Sequence, residues 1–271
     1  MMESVGVVIP AYRPDTKLLT DYVETLHEEL SPVAIRVELD GEASPVNNAL
    51  ADQPSTVTVN AVDARRGKGA AITDGFEALV TDDAIDTLVF VDADGSTPVK
   101  SVADVLDPVL KANADLSVGS RRHPNATVSS HQTMLRRRLG DSFAWLARHL
   151  LDVSLYDYQC GAKALTTETW RDVRDHLYEP GFAWDIELIS ITDALGYRVV
   201  EVPVIWEDRP KSTVSPMETA VRLARSLIVS RHRSRVLQDN LVHHVIDNIL
   251  SRPRALIERE HMANGYDSDR Q

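Results

Sequence analysis

Cysteine is nearly absent from this sequence: Cys160 is the single one among 271 residues. An intramolecular disulfide and a cysteine-rich zinc site are both excluded. No cysteine-protease signature surrounds Cys160, which reads as a small buried side chain. Long apolar runs are missing as well. None approaches the roughly 18 to 20 residues of a membrane span. The first six residues lack a basic segment followed by an apolar one, so no signal peptide is expected and the location is read as cytoplasmic. No Ser/His/Asp or H-E-x-x-H arrangement is visible, and the adjacent His243 and His244 diverge on a helix, a poor metal pair.

Lysine is scarce too, with 6 Lys against 23 Arg, whereas 26 Asp stand beside 15 Glu and the net charge is −12. A chain this acidic repels nucleic acid. Its acidity fits a halophile, in which salt screens dense surface charge; folding would then need molar salt, readable as a melt that shifts with KCl. A GC-rich genome favouring arginine codons fits the same counts. With 43% hydrophobic and 26% charged residues, the profile is that of a soluble globular protein.

Strand-like runs alternate with helical patterns. Residues 5–9 form an almost uninterrupted apolar run, as in a strand buried on both faces. A helix is expected over 15–30, strands over 33–39 and 56–62, a helix over 69–80, and a buried strand over 88–91. Further strands are expected at 116–119, 162–166 and 198–206. This βαβα order predicts an α/β fold with a twisted, mostly parallel sheet flanked by helices. Ligands of such sheets sit beyond the carboxyl ends of the strands, where Tyr12, Asp40, Asp63, Asp92 and Asp94 fall. Past residue 232 the pattern becomes a helical stripe of Leu237, Leu241, Val245 and Ile249, broken at Pro253. The expected division is therefore a catalytic domain over 1–232 and a helical extension with a frayed polar tail over 233–271.

Leu88-Val89-Phe90-Val91-Asp92-Ala93-Asp94-Gly95 carries the sharpest chemical signal. Carboxylates at i and i+2 of an extended segment point to one side, and they repel unless a cation lies near. Mg²⁺ or Mn²⁺ takes such oxygens and also those of a diphosphate. A D-x-D alone equally describes a solvated turn; after a buried strand in this order it points to a metal site on Asp92 and Asp94. In Asp63-Ala64-Arg65-Arg66-Gly67-Lys68-Gly69, glycines surround a basic group before a helix, which suits a nucleotide's phosphates or is simply a basic turn. It is neither a Walker loop, since Val62 and Gly69 stand where Gly and Ser/Thr are required, nor the G-x-G-x-x-G fingerprint, since Ile72 replaces the third glycine.

These segments recur in a known order. Val7-Val8-Ile9-Pro10-Ala11-Tyr12, Arg66-Gly67-Lys68-Gly69, Val91-Asp92-Ala93-Asp94-Gly95 and Gly119-Ser120-Arg121 are followed by Asp157-Tyr158-Gln159-Cys160-Gly161-Ala162-Lys163. Phe182-Ala183-Trp184-Asp185-Ile186-Glu187-Leu188 completes the set. Together they resemble the family 2 glycosyltransferases with the GT-A (nucleotide-diphospho-sugar transferase) fold, and among them the dolichyl-phosphate glucosyl- and mannosyltransferases, the last two segments being closer to the glucosyl branch. The resemblance implies an inverting, Mg²⁺- or Mn²⁺-dependent transfer of a hexose to dolichyl or polyprenyl phosphate, with UDP-glucose favoured and GDP-mannose the alternative. It implies that Pro10, Ala11, Tyr12, Asp40 and Asp63 hold base and ribose, with Lys68 near that pocket. Asp92 contacts the nucleotide, Asp94 carries the metal, and Asp185 lies at the sugar and acceptor site. Arg13-Pro14-Asp15 departs from the usual Asn-Glu after Tyr12, and Leu39-Asp40 from the usual Asp-Asp.

The acceptor phosphate has a second pKa near ~6 and is largely ionised at neutral pH, so it needs cations rather than a general base. Arg121, Arg136, Arg137, Arg209 and Lys211 are the candidates, arginine offering a planar grip on phosphate oxygens; solvated faces are the other fate of such clusters. Leu135, Leu139, Phe143, Leu146 and Leu150 form one helical face flanked by Arg136, Arg137, Arg138 and Arg148, with Trp145 nearby. The pattern alone fits a core-facing helix slightly better, but a lipid acceptor that stays in the bilayer turns the expectation to a helix lying on the cytoplasmic membrane surface. A silent nucleotide-sugar-binding scaffold is the rival of another class.

Overall fold

The apolar runs become strands covered on both faces. The computed structural model describes residues 4–129, 134–207, 216–240, 243 and 254–259, with backbone only for 134–139 and 216–222. In β1 (Val5–Tyr12), Val7 and Ile9 enter one core layer and Val8 the other. After α1 (Thr16–Leu30), β2 (Ala34–Asp40) and α2 (Ser44–Ala49) come β3 (Val57–Val62), α3 (Lys68–Leu79) and β4 (Thr87–Val91). In β4, Leu88 and Phe90 point to one layer and Val89 and Val91 to the other, the period of two that a pleated strand imposes. The chain continues through α4 (Val99–Leu110), β5 (Leu116–Ser120), β6 (Thr127–Ser129), α5 (Met134–Leu150), β7 (Ala162–Thr166) and α6 (Thr167–Val173). Then follow a 3-10 turn at Arg174–His176, α7 (Trp184–Ala194), β8 (Val199–Pro203), β9 (Ile205–Glu207) and α8 (Pro216–Leu237).

Seven strands form one sheet in the order β3-β2-β1-β4-β7-β5-β8. All run parallel except β7, which is antiparallel to both β4 and β5. Helices α1 and α4 cover one face, through Leu19, Val23, Leu26, Val102, Val105 and Leu106. The other face carries Ile72 and Phe76 of α3, Trp170 of α6 and Trp184 of α7. Phe76 meets Trp170 edge-on at 5.0 Å between ring centroids, and Phe90 meets Trp184 at 5.6 Å, geometries that aromatic quadrupoles favour.

Two expectations are corrected. The single strand expected over 198–206 is two: β8 pairs with β5, and β9 pairs with β6 in a separate ribbon. Pro203, the last residue in register with β5, has no N–H to continue the ladder. Of the α5 stripe, Phe143, Leu146 and Leu150 pack against the core beside the buried Ala144 and Ala147; the side chains of Leu135 and Leu139 lie outside the described residues. Helical spacing is the same for a core-facing and a membrane-facing stripe, and the core takes the described part of this one. Helices α2, α4 and α6 join those expected from the sequence. The boundary expected after residue 232 falls within α8, and Leu241, Val245, Ile249, Pro253 and the polar tail lie outside the described residues.

Candidate active site

Each strand from β1 to β4 delivers a polar group at its carboxyl end. Tyr12 closes β1, Asp40 closes β2, Asp63 follows β3 and Asp92 follows β4. Tyr12, Asp40 and Asp63 line a cavity of about 450 Å³ with Arg13, Leu39, Glu42 and Arg65. The Arg65 guanidinium lies 4.1 Å from the centre of the Tyr12 ring, a cation–π stack. Pro10 and Ala11 are not in that wall; Ala11 is buried in the core behind it. Asp40 is already engaged, accepting from Arg66 Nε at 2.9 Å and from the Gly67 N–H at 2.9 Å. Arg66 also reaches Glu38 at 2.9 Å and Asp74 at 2.6 Å. One guanidinium thus ties β2 to the loop before α3. Gly67 turns that loop with φ +99°, and a Cβ there would lie 2.5 Å from the Pro180 carbonyl oxygen, so only glycine fits.

The loop delivers Lys68 to a second cluster. Lys68 Nζ lies 2.9 Å from Asp92 Oδ1 and 3.2 Å from Asp185 Oδ2. The other oxygen of Asp185 lies 2.6 Å from Lys163 Nζ. Burial alone would lower the Lys68 pKa, but the Asp185 and Asp92 carboxylates hold it above the ordinary lysine value. Burial alone would raise Asp92; Lys68, with Lys163 and Arg121, holds it below the ordinary carboxylate value. Both ionised forms are therefore secured by mutual proximity. Gly161 admits Asp92 to this position: a Cβ on it would stand 1.9 Å from Asp92 Oδ2.

Asp94 differs. Its Oδ1 accepts the Ser96 N–H at 2.9 Å, and it has no ion pair among the described residues. Arg121 grips Asp157 through Nε at 2.7 Å and Nη2 at 3.0 Å, a bidentate pair, and stacks 5.6 Å from the Trp206 ring centre. Burial pushes the Cys160 thiol up to about 12, so Cys160 is inert, as its sequence context implied.

The structure brings together Lys68, Asp92 and Asp185, and gathers Tyr12, Asp40 and Asp63 in the neighbouring cavity. The side chains of Arg136 and Arg137, and Arg209 and Lys211 entirely, lie outside the described residues. Sequence reasoning assigned no role to Arg66, Asp157 or Lys163. Glu38 is fully buried in β2, and a buried carboxylate requires a partner; Arg36 of the same strand and Arg66 both supply one. In α7, Asp185 turns to the site, while Glu187 pairs with Arg233 and accepts the N–H groups of Tyr178 and Glu179, both at 2.8 Å. That anchors the segment against which Gly67 packs.

Known proteins resemble this chain in sequence and fold. The family model for glycosyl transferase family 2 matches residues 7–160, and the chain belongs to that family. Glycosyltransferase AglD of Haloferax volcanii is 31% identical over 83% of this chain, which spans only 35% of AglD. A dolichyl-phosphate beta-glucosyltransferase of Dictyostelium discoideum is 26% identical, covering 84% of this chain and 74% of the relative. Among solved structures, the glucosyl-3-phosphoglycerate synthase of Mycobacterium tuberculosis, in a complex with Mn²⁺, UDP and its product, superposes with a TM-score of 0.57 at 16% identity. The alignment covers 86% of this chain and 80% of that one. The fold is GT-A, as the motif order implied.

The Arg121–Asp157 pair gives a pH-dependent expectation. Burial works against the Asp157 charge, but Arg121 and then the Gln159 N–H override it and hold the carboxyl well below its usual range. The folded pKa is thus below the unfolded value of about 3.9, so the contribution is full above that value and is lost as pH falls through the folded one. Asp157→Asn should destabilise the protein by about 3–5 kcal/mol at pH 7, the effect of stranding one partner of a buried pair. In urea unfolding, the gap between wild type and variant should narrow below about pH 4. A gap independent of pH would remove the ion pair from the account.

Proposed function

We propose that this chain transfers a hexose from a nucleoside diphosphate sugar to a polyprenyl or dolichyl phosphate. The observation that carries the reading is the unequal state of two neighbouring carboxylates: Asp92 is balanced by Lys68, whereas Asp94 has no cation among the described residues. A hard divalent ion needs only one or two protein carboxylates when diphosphate oxygens complete its shell. Asp94, with Asp92 beside it, fits Mg²⁺ or Mn²⁺ arriving with the donor. When bound, the ion supplies charge stabilisation to the departing nucleoside diphosphate.

The chain's own residues do the rest. The cavity beside Tyr12 takes the base and ribose, UDP being favoured over GDP in keeping with the UDP-bound structural neighbour. A phosphate oxygen of the acceptor attacks the anomeric carbon as the bond to the nucleoside diphosphate breaks, with inversion. That nucleophile is already ionised, so no side chain need take its proton, and Asp185 has both oxygens occupied by lysines. Arg121 keeps Nη1 for the acceptor phosphate, its Nε and Nη2 being committed to Asp157. Arg136, Arg137, Arg209 and Lys211 are proposed to join it.

Turnover with UDP-glucose and GDP-mannose on a short polyprenyl phosphate, with Mn²⁺ or Mg²⁺, tests the reading by mass spectrometry of the lipid product. Asp94→Ala should slow turnover by at least about 100-fold, the effect of losing one contact to developing charge. Near-wild-type rates at saturating donor and metal would contradict the assignment. A wild type that binds donor without making product would be a scaffold.

A polyprenyl chain stays in the bilayer, and no helix among the described residues is long and apolar enough to cross one. In this proposal the protein meets its acceptor at the cytoplasmic surface of the bilayer. With Phe143 packed on the core, the outward group of α5 is Trp145, 55% exposed, an amphipathic ring suited to the headgroup level. In flotation with anionic vesicles the wild type should rise with lipid and Trp145→Glu should float less, with an unchanged melting temperature. A wild type that stays in solution while glycosylating a water-soluble prenyl phosphate would end the membrane claim.

A further inference from the structure

Lys163 is the second residue of β7, in register with Phe90 of β4 and Val118 of β5, and has 0% exposure. A strand position between two neighbours in a sheet centre suits an aliphatic side chain. An ammonium there must be taken out of water, and exchanging a buried ion pair for apolar groups is often neutral or stabilising. Stability therefore gives no reason for this lysine. Its contacts do: Nζ lies 2.6 Å from Asp185 Oδ1 and 2.8 Å from the Cys160 carbonyl oxygen.

Followed outward, the charges alternate. Lys163 holds Asp185, Asp185 holds Lys68 at 3.2 Å, and Lys68 holds Asp92 at 2.9 Å. Two positive and two negative groups leave the row neutral. Exposure rises along it, from 0% for the Lys163 side chain through 3% for Asp185 and 10% for Lys68 to 35% for Asp92. Only the Asp92 end faces the donor. The two ammonium groups also flank one ring, Lys68 at 5.1 Å and Lys163 at 5.4 Å from the Phe90 centroid, so neither has an apolar refuge that the other lacks.

We infer that Lys163 is a positioning residue for the nucleotide donor: by neutralising Asp185 from behind, it leaves Lys68 free to balance Asp92. This rests on the proposed use of Asp92 and Asp94 at the donor diphosphate. Without Lys163, one ammonium serves two carboxylates. Asp185, the more buried of the two, gains more from a counter-charge in its lower dielectric and draws Lys68 inward. Asp92 then loses its ion-pair partner and keeps only the longer-range charge of Arg121, so the donor's phosphates meet more uncompensated negative charge.

Calorimetric binding of UDP with Mn²⁺ tests this without acceptor or turnover. Lys163→Met should weaken UDP binding at least tenfold and raise the donor KM, leaving the acceptor KM unchanged. Lys163→Arg should retain most of the affinity. The double variant Lys163→Met/Asp185→Asn removes one charge of each sign, restores a neutral Lys68–Asp92 pair and should recover most of the loss, a coupling that a double-mutant cycle isolates. Wild-type affinity in Lys163→Met, or no recovery in a double variant with a native melting temperature, overturns the inference. If the single variant fails to fold, Lys163→Arg and the double variant still decide it. A wild type that binds neither UDP nor GDP overturns the proposed function and this inference with it.

Discussion

Asp92 and Asp185 stand on opposite sides of one ammonium, and the site is arranged so that this ammonium, Lys68, can reach both. Two carboxylates brought this close repel each other unless cations intervene. The contacts come from four parts of the chain: the end of β4, the start of α3, the start of β7 and the first turn of α7. Each part has to approach closely. The absent side chain of Gly161 lets Asp92 sit against β7, and Gly67 lets the loop before α3 fold onto the 178–181 segment. Trp184, next to Asp185, packs on Phe90, so the aromatic layer of the core fixes the carboxylate that the lysines share.

From that follows a division of labour. Charges the protein can neutralise itself are neutralised: Asp92 and Asp185 by lysines, Asp40 and Glu38 by Arg66, Asp157 by Arg121. Asp94, at the end of β4, has no ion pair among the described residues and is proposed to take a cation from outside. The proposed acceptor side follows the same economy, since Arg121 is oriented by a bidentate carboxylate and keeps a donor to spare. The antiparallel β7 matters here, because it lies between β4 and β5 and carries Lys163 beneath the site.

Much of this was readable in the residues, for physical reasons. Strands β1 and β4 are covered on both faces, so their apolar runs are nearly continuous and their polar ends conspicuous. Asp92 and Asp94, or Arg66 to Gly69, are local patterns whose chemistry is visible over a few residues. Other features depend on distance in the chain. Lys163 meets a carboxylate 22 residues on, and Arg66 meets partners 26 and 28 residues back, pairings that no local window contains. Helix α4 was not among the helices expected, although Val102, Val105 and Val109 are spaced for one face; Pro108 stands inside its last turn, where the missing N–H costs the helix one hydrogen bond that the buried apolar face outweighs. The stripe of α5 was legible as a stripe, but spacing does not say whether protein or lipid covers it.

The central claim is that the protein balances Asp92 and leaves Asp94 to an ion. Anomalous diffraction from crystals grown with UDP and Mn²⁺ measures this directly. The account predicts a manganese peak on Asp94, with Lys68 still within hydrogen-bonding distance of Asp92. A peak on Asp92 with Lys68 displaced from it, or nucleotide bound with no manganese at the end of β4, would contradict the account.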